Sequence, residues 1–231
     1  MNVINYIAKI ARVIHKTATL SVSKALSITA LLDKKYSTLS LSKEWHEAFE
    51  APEDRGVWFI YGHTGNGKTS FLWQLIKELS QHGRVAFNSL EEGFDKTVQS
   101  AVSRASLTTA ERKRILIINE SIEELTERIQ RQKSPKFIII DSFQYTGLDW
   151  KQYLKLKQFA AAKLLIVVSH AEGKLPQGRT ANRVMYDASL KIWIEGFRAF
   201  SKGRYIGSRG YFDIWPEQAA LHWGTTNQKD T

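Results

Sequence analysis

Residues 57–70 constrain this chain more than any other stretch. Val57-Trp58-Phe59-Ile60-Tyr61 is an unbroken apolar run rich in β-formers, the pattern of a strand covered on both faces. It leads directly into Gly62-His63-Thr64-Gly65-Asn66-Gly67-Lys68-Thr69. Ser70 then opens a segment in which Phe71, Leu72, Leu75, Ile76 and Leu79 recur at helical spacing. Gly83 stands where a left-handed helix stop is wanted. Strand, glycine-rich loop and helix in this order make a P-loop. The glycines let successive backbone N–H groups wrap phosphate oxygens, and the helix N-terminus adds its positive end. Residues 62 to 70 are therefore expected to hold ATP. Lys68 would reach the β- and γ-phosphates and the Thr69 hydroxyl would ligate Mg2+.

The remaining chain alternates strand and helix. Residues 84–88 read as a second strand, running into Ser89-Leu90-Glu91-Glu92-Gly93, and residues 94–106 as a helix. A third strand covers residues 114–118. Ser121-Ile122-Glu123-Glu124 is a capping box opening a helix over 122–132. Pro135-Lys136-Phe137-Ile138-Ile139-Ile140-Asp141 is a fourth strand that delivers Asp141 to its C-terminal end, the place of a second ligand to the Mg2+ shell. A helix near 150–162 precedes a fifth strand, residues 164–169, ending at His170. The alternation predicts an α/β fold: a mostly parallel twisted sheet with right-handed crossovers, flanked by helices, with its ligand at the strand C-termini. Residues 190–194, 198–205, 211–215 and 221–223 read as short strands extending the sheet in antiparallel pairs.

Charge and composition narrow the class. Thirty-three basic and 23 acidic side chains leave a net charge of +10, and the excess is localised. Residues 1–40 hold six Lys/Arg against Asp33 alone, and residues 170–212 hold eight against three acids. Two basic clusters on an otherwise neutral chain suit a polyanion met at defined surfaces, and also suit a solubilising surface with a basic tail. Cysteine is absent, which excludes a disulfide scaffold, a cysteine nucleophile and any thiolate metal site. No apolar run approaches the roughly 20 residues that span a bilayer, so a cytoplasmic chain is expected. The domain reading is a basic amphipathic helical arm and linker over 1–40, a core over 41–225 and a polar tail over 226–231. Residues 171–182 lack periodicity and read as a loop, with Lys174, Arg179 and Arg183 as phosphate-seeking charge.

The position of the acid that activates water separates branches of the P-loop proteins. Ser142 follows Asp141, so the adjacent acid used by chaperone-like ATPases is missing. Glu91 and Glu92 instead end the neighbouring strand, where a carboxylate could polarise the water attacking a γ-phosphate.

From these motifs the chain resembles the RadA (Sms) recombination and repair ATPases of the RecA/DnaB group. Ser89-Leu90-Glu91-Glu92 is similar to the family's strand-end glutamate motif. Asn119-Glu120-Ser121 through Asp141-Ser142-Phe143-Gln144 and Ser169-His170-Ala171-Glu172-Gly173 track it closely. Met185-Tyr186-Asp187, Ile194-Glu195-Gly196 and Lys202-Gly203-Arg204-Tyr205 fall at matching places, so the likeness spans residues 55–215. The resemblance implies a RecA-like core in which Lys68, Thr69, Asp141 and Glu91 serve nucleotide, metal and hydrolysis. Gln144 and His170 would sense the γ-phosphate. Lys202 and Arg204 would reach a neighbouring subunit's nucleotide in a homo-oligomeric ring or filament. The segment 171–183 would contact DNA, single strands above all. Gly203 and Ile206 depart from the family's Lys-x-Arg motif, and a cysteine-free chain cannot build the family's zinc module. The expectation is a minimal core acting on DNA. The alternative is an ATP-gated adaptor that holds a protein partner through its N-terminal helices.

Overall fold

The computed structural model describes residues 25–224. The arm read over 1–40 falls largely, and the tail read over 226–231 wholly, outside these residues. The chain divides into two compact units between Tyr36 and Ser37. In the first, α1 (Ile28–Leu32) is capped by the Ser27 hydroxyl, which accepts from the Ala30 N–H at 3.1 Å, and none of its residues is buried.

The second unit opens with α2 (Lys43–Phe49) and then builds nine strands: β1 (Gly56–Gly62), β2 (Val85–Ser89), β3 (Ile115–Ile118), β4 (Phe137–Asp141), β5 (Leu164–Glu172), β6 (Leu175–Pro176), β7 (Leu190–Glu195), β8 (Arg198–Gly203) and β9 (Tyr211–Asp213). They run in the order β3-β2-β4-β5-β1-β7-β8-β9, with β6 paired to the end of β5. Helices α3 (Lys68–His82), α4 (Lys96–Arg104), α5 (Thr109–Arg112), α6 (Ile122–Gln130), α7 (Trp150–Phe159), α8 (Arg179–Asp187) and α9 (Pro216–Trp223) connect or flank them. This is the expected α/β architecture, parallel from β3 to β7 and antiparallel at β8 and β9.

Each face of β1 is covered. Trp58 and Ile60 pack with Phe71, Leu72, Leu75 and Ile76 of α3, while Val57, Phe59 and Tyr61 face Leu125, Tyr153 and Val184 on the other side. Fully burying an aliphatic or aromatic side chain contributes roughly 1.5–3 kcal/mol, so this double layer anchors the loop that follows β1. Helix α2 is tied in by polar contacts too. The buried Glu78 carboxylate of α3 accepts from the Ser42 N–H at 2.7 Å and from its hydroxyl at 3.0 Å.

Four local readings are corrected. Strand β7 pairs with β1 in parallel, because α8 forms a crossover that returns the chain to the far edge of the sheet. Residues 221–223 end α9, which starts with Pro216 in its first turn, and are not a strand. The segment 171–182 is not a loop: β5 continues to Glu172, turns into β6, and α8 begins at Arg179. Ala181, Val184 and Met185 are the buried stripe of that helix, and the C-cap Ala188 is buried after it. Gly83 has φ 162°, an extended conformation, and no left-handed cap. What it provides is room, since a Cβ there would press on Lys136 and Phe137 at 3.3 Å.

Candidate active site

Parallel strands end at one edge, so the chemistry gathers there. The register sets Gly62 beside His170 and Ser89 beside Asp141. Gly62 is needed for close approach, because a Cβ would lie 2.4 Å from the Ile194 carbonyl oxygen of β7. In the loop, Gly65 and Gly67 take φ of 82° and 94°, which glycine adopts without strain. Gly67 is the N-cap of α3 and brings no side chain to the first N–H groups of that helix. His63, Thr64 and Gly65 are exposed along the loop, and Thr69 and Ser70 are exposed at the start of α3. The Lys68 ammonium folds back and donates to the Gly62 carbonyl at 3.1 Å. Burial holds its pKa below the ordinary lysine value, opposed by the charges of Asp141 and Glu91.

Asp141 ends β4 within electrostatic reach of Lys68. Its carboxyl is pushed up to about 7, first by burial and then by the charge of Glu91, with Lys68 opposing. The turn after β2 is pinned to it: Asp141 O accepts from the N–H groups of Leu90 at 2.7 Å and Glu91 at 3.2 Å. The two glutamates of that turn part company. Glu91 Oε2 lies 3.0 Å from His170 Nε2, whereas Glu92 turns to the Thr97 hydroxyl at 2.5 Å.

Gln144 extends the cluster. It lies in a short 3-10 turn, Phe143–Thr146. Its Nε2 donates to Ser169 Oγ at 2.8 Å and to the Gln177 carbonyl at 3.0 Å, and its Oε1 accepts from the His170 N–H at 3.3 Å. Glu91, Gln144, His170, Tyr145 and Gln177 line an open cavity of about 400 Å3. The structure thus brings together Lys68, Asp141, Glu91, His170 and Gln144.

Other residues singled out in the sequence sit elsewhere. Lys202 of β8 pairs with Lys191 of β7, level with Phe59 in the middle of β1, and the Arg204 N–H donates to the Ser189 carbonyl, level with Val57, so both lie back along the sheet from the strand ends that carry this chain's own P-loop. Lys174 is exposed in the β5–β6 hairpin and Arg179 is exposed at the start of α8. Arg183 has its guanidinium 4.2 Å from the Trp150 ring centroid.

Two features escaped the sequence reading. Asn66 Oδ1 accepts from the Gly196 N–H at 2.8 Å, fastening the P-loop to the β7–β8 turn. The Gln177 carbonyl joins the hairpin to Gln144. A backbone partner leaves no side-chain signature, so neither contact was visible in residue types.

Strand order, P-loop and strand-end carboxylates together define a RecA-like fold. Among solved structures, the chain is similar to a KaiC-like protein from the hyperthermophilic archaeon Pyrococcus horikoshii, at 18% identity and a TM-score of 0.55, over 73% of this chain and 94% of that one. It is also similar to the flagellar accessory protein FlaH from Methanocaldococcus jannaschii, at 15% identity and a TM-score of 0.57, over 77% of this chain and 92% of that one. No protein-family model and no curated protein matches the sequence. No described helix is long and apolar enough to cross a membrane.

Proposed function

We propose that this chain is a Mg-ATP-dependent ATPase acting on DNA, assembled so that Lys202 and Arg204 serve a neighbouring subunit's site. The observation that carries the hydrolytic reading is the convergence of Lys68, Asp141 and Glu91, with Glu91 held by His170. The residues fit the groups they would bind. The uncapped start of α3 and the partly buried Lys68 suit a polyphosphate. A carboxyl raised to about 7, first by burial and then by the neighbouring charge of Glu91, suits a divalent cation. Among the described residues no cluster of three or more His or acidic groups could hold a metal alone. Mg2+ takes one or two protein oxygens plus phosphate and water. Thr69 and Asp141 would hold it, and when bound it would neutralise charge on the phosphate oxygens.

In this reading Lys68 leaves the Gly62 carbonyl for a phosphate. Glu91 would take a proton from water as the water oxygen bonds the γ-phosphorus and the bond to the β-phosphate oxygen breaks, releasing ADP, while His170 holds the carboxylate by Oε2. Gln144 carries the state of the site into the hairpin through the Gln177 carbonyl. DNA is the proposed partner because Lys174 and Arg179, both exposed, lie on and just after that hairpin. The test is ATP turnover measured against single-stranded DNA and against protein concentration. Both should raise it. Turnover indifferent to both would overturn the reading.

The adaptor alternative is favoured by one observation: Ile28, Leu31 and Leu32 of α1 are all exposed. Nucleotide-dependent capture of a protein partner, with negligible DNA affinity, would select it.

A further inference from the structure

A relay of hydrogen bonds through Gly196 fastens the P-loop to the last residue of α9. The Trp223 indole N–H of α9 donates to the Gly196 carbonyl at 3.0 Å. The N–H of the same Gly196 donates to Asn66 Oδ1 at 2.8 Å, and Asn66 Nδ2 donates back to the Thr64 carbonyl at 3.4 Å. One residue of the β7–β8 turn therefore holds the final helix with its carbonyl and the phosphate loop with its N–H.

The packing explains why the turn carries glycine. Gly196 has φ 51°, and a Cβ on it would lie 2.2 Å from the His222 ring. A side chain there would have to displace the exposed His222 ring of α9 and adopt a left-handed backbone that L residues rarely take. Trp223 is further seated edge-on against Phe200, with ring centroids 5.2 Å apart. The same C-terminal segment reaches the loop a second time. The Ile214 carbonyl accepts from Gln74 Nε2 of α3 at 3.0 Å, and the Ile214 side chain lies against Gly67.

We infer that Trp223 is a positioning residue for the P-loop, acting through Gly196 and Asn66. Helix α9 sets how firmly residues 62–69 hold their shape. The loop's N–H groups must converge on one point to grip an anion, so a looser loop presents fewer of them at once. Anything that lifts α9 loosens the loop without touching it.

The test is hydrogen–deuterium exchange on the full, nucleotide-free chain, following peptides over residues 62–69. Trp223→Phe keeps an aromatic ring at this position, smaller than the indole, and removes the N–H. It should speed exchange in the loop about 2- to 10-fold, the equilibrium factor of one net hydrogen bond. Asn66→Ala should do the same. The double variant should match the larger single effect, since both break one relay. Faster exchange confined to residues 216–224, or multiplied effects in the double variant, would overturn the inference. A second arm uses a fluorescent ADP analogue, whose affinity should fall by the same factor in Trp223→Phe while the melting temperature stays near wild type. This arm rests on the nucleotide reading above. If wild type binds no analogue, that reading fails, and the exchange arm still decides the role of Trp223.

Discussion

Glu91 and His170 meet across the C-terminal edge of the sheet, Oε2 to Nε2 at 3.0 Å, although 79 residues separate them. The contact selects between two adjacent glutamates, because Glu92 is turned to Thr97. Glu91→Gln should therefore keep nucleotide affinity and lose hydrolysis about 10²- to 10⁴-fold, the usual contribution of a general base. Glu92→Gln should change turnover little. Steady-state hydrolysis alongside nucleotide titration checks both, and full turnover in Glu91→Gln would reassign the base.

Asp141 gives a pH signature to the chain free of metal and nucleotide. Its carboxyl is pushed from an ordinary 3.8 up to about 7, so over that interval the folded state holds a proton the unfolded chain has released. The contribution of Asp141 to stability then falls as pH rises from 4 to 7, by up to about 1.4 kcal/mol per pH unit, and levels off above 7. Asp141→Asn removes the titrating group. The variant should melt higher than wild type at pH 8, with the difference closing toward pH 4. Thermal unfolding in EDTA across this range checks it. A difference that does not vary with pH would mean that neither burial nor the charge of Glu91 raises the carboxyl.

Gln144 links the hydrolytic cluster to the hairpin through its hydrogen bonds to Ser169, His170 and Gln177. Gln144→Ala should leave nucleotide affinity close to wild type and abolish stimulation of turnover by DNA. Exchange of the amides over residues 171–178 should rise in the same variant. Retained stimulation would place the coupling elsewhere.

Much of this was legible in the sequence, and the failures have physical causes. The P-loop and the strand delivering Asp141 were readable because strict local spacing makes them. The capping box at Ser121 and Glu124 forms as expected. Helix α8 was missed because its first turn, Arg179-Thr180, follows a glycine and a proline, and its apolar stripe begins only at Ala181. The 221–223 segment misled because three residues cannot distinguish a strand from the last turn of a helix. Asn66 and Gln177 act on or through main-chain groups, which residue identity does not encode. The direction of β7 was set by the crossover, a tertiary fact.

The three basic residues at the hairpin and α8 should separate by role. Lys174 and Arg179 are exposed and form no ion pair among the described residues, so they are available to phosphate. Lys174→Ala and Arg179→Ala should each weaken single-stranded DNA binding uniformly across sequences and reduce the slope of log affinity against log salt by about 1. Arg183 is already engaged 4.2 Å over Trp150, an interaction of about 0.5–1 kcal/mol at an exposed site. Arg183→Ala should therefore lower the melting temperature as well as DNA affinity, while the other two leave it unchanged. Trp150→Leu should reproduce the loss of stability and leave the salt slope as in wild type. Fluorescence-anisotropy titrations of labelled oligonucleotides at several salt concentrations, paired with thermal melts, separate the two effects. If all three alanine variants bind DNA as wild type does, the hairpin and α8 are not the DNA surface.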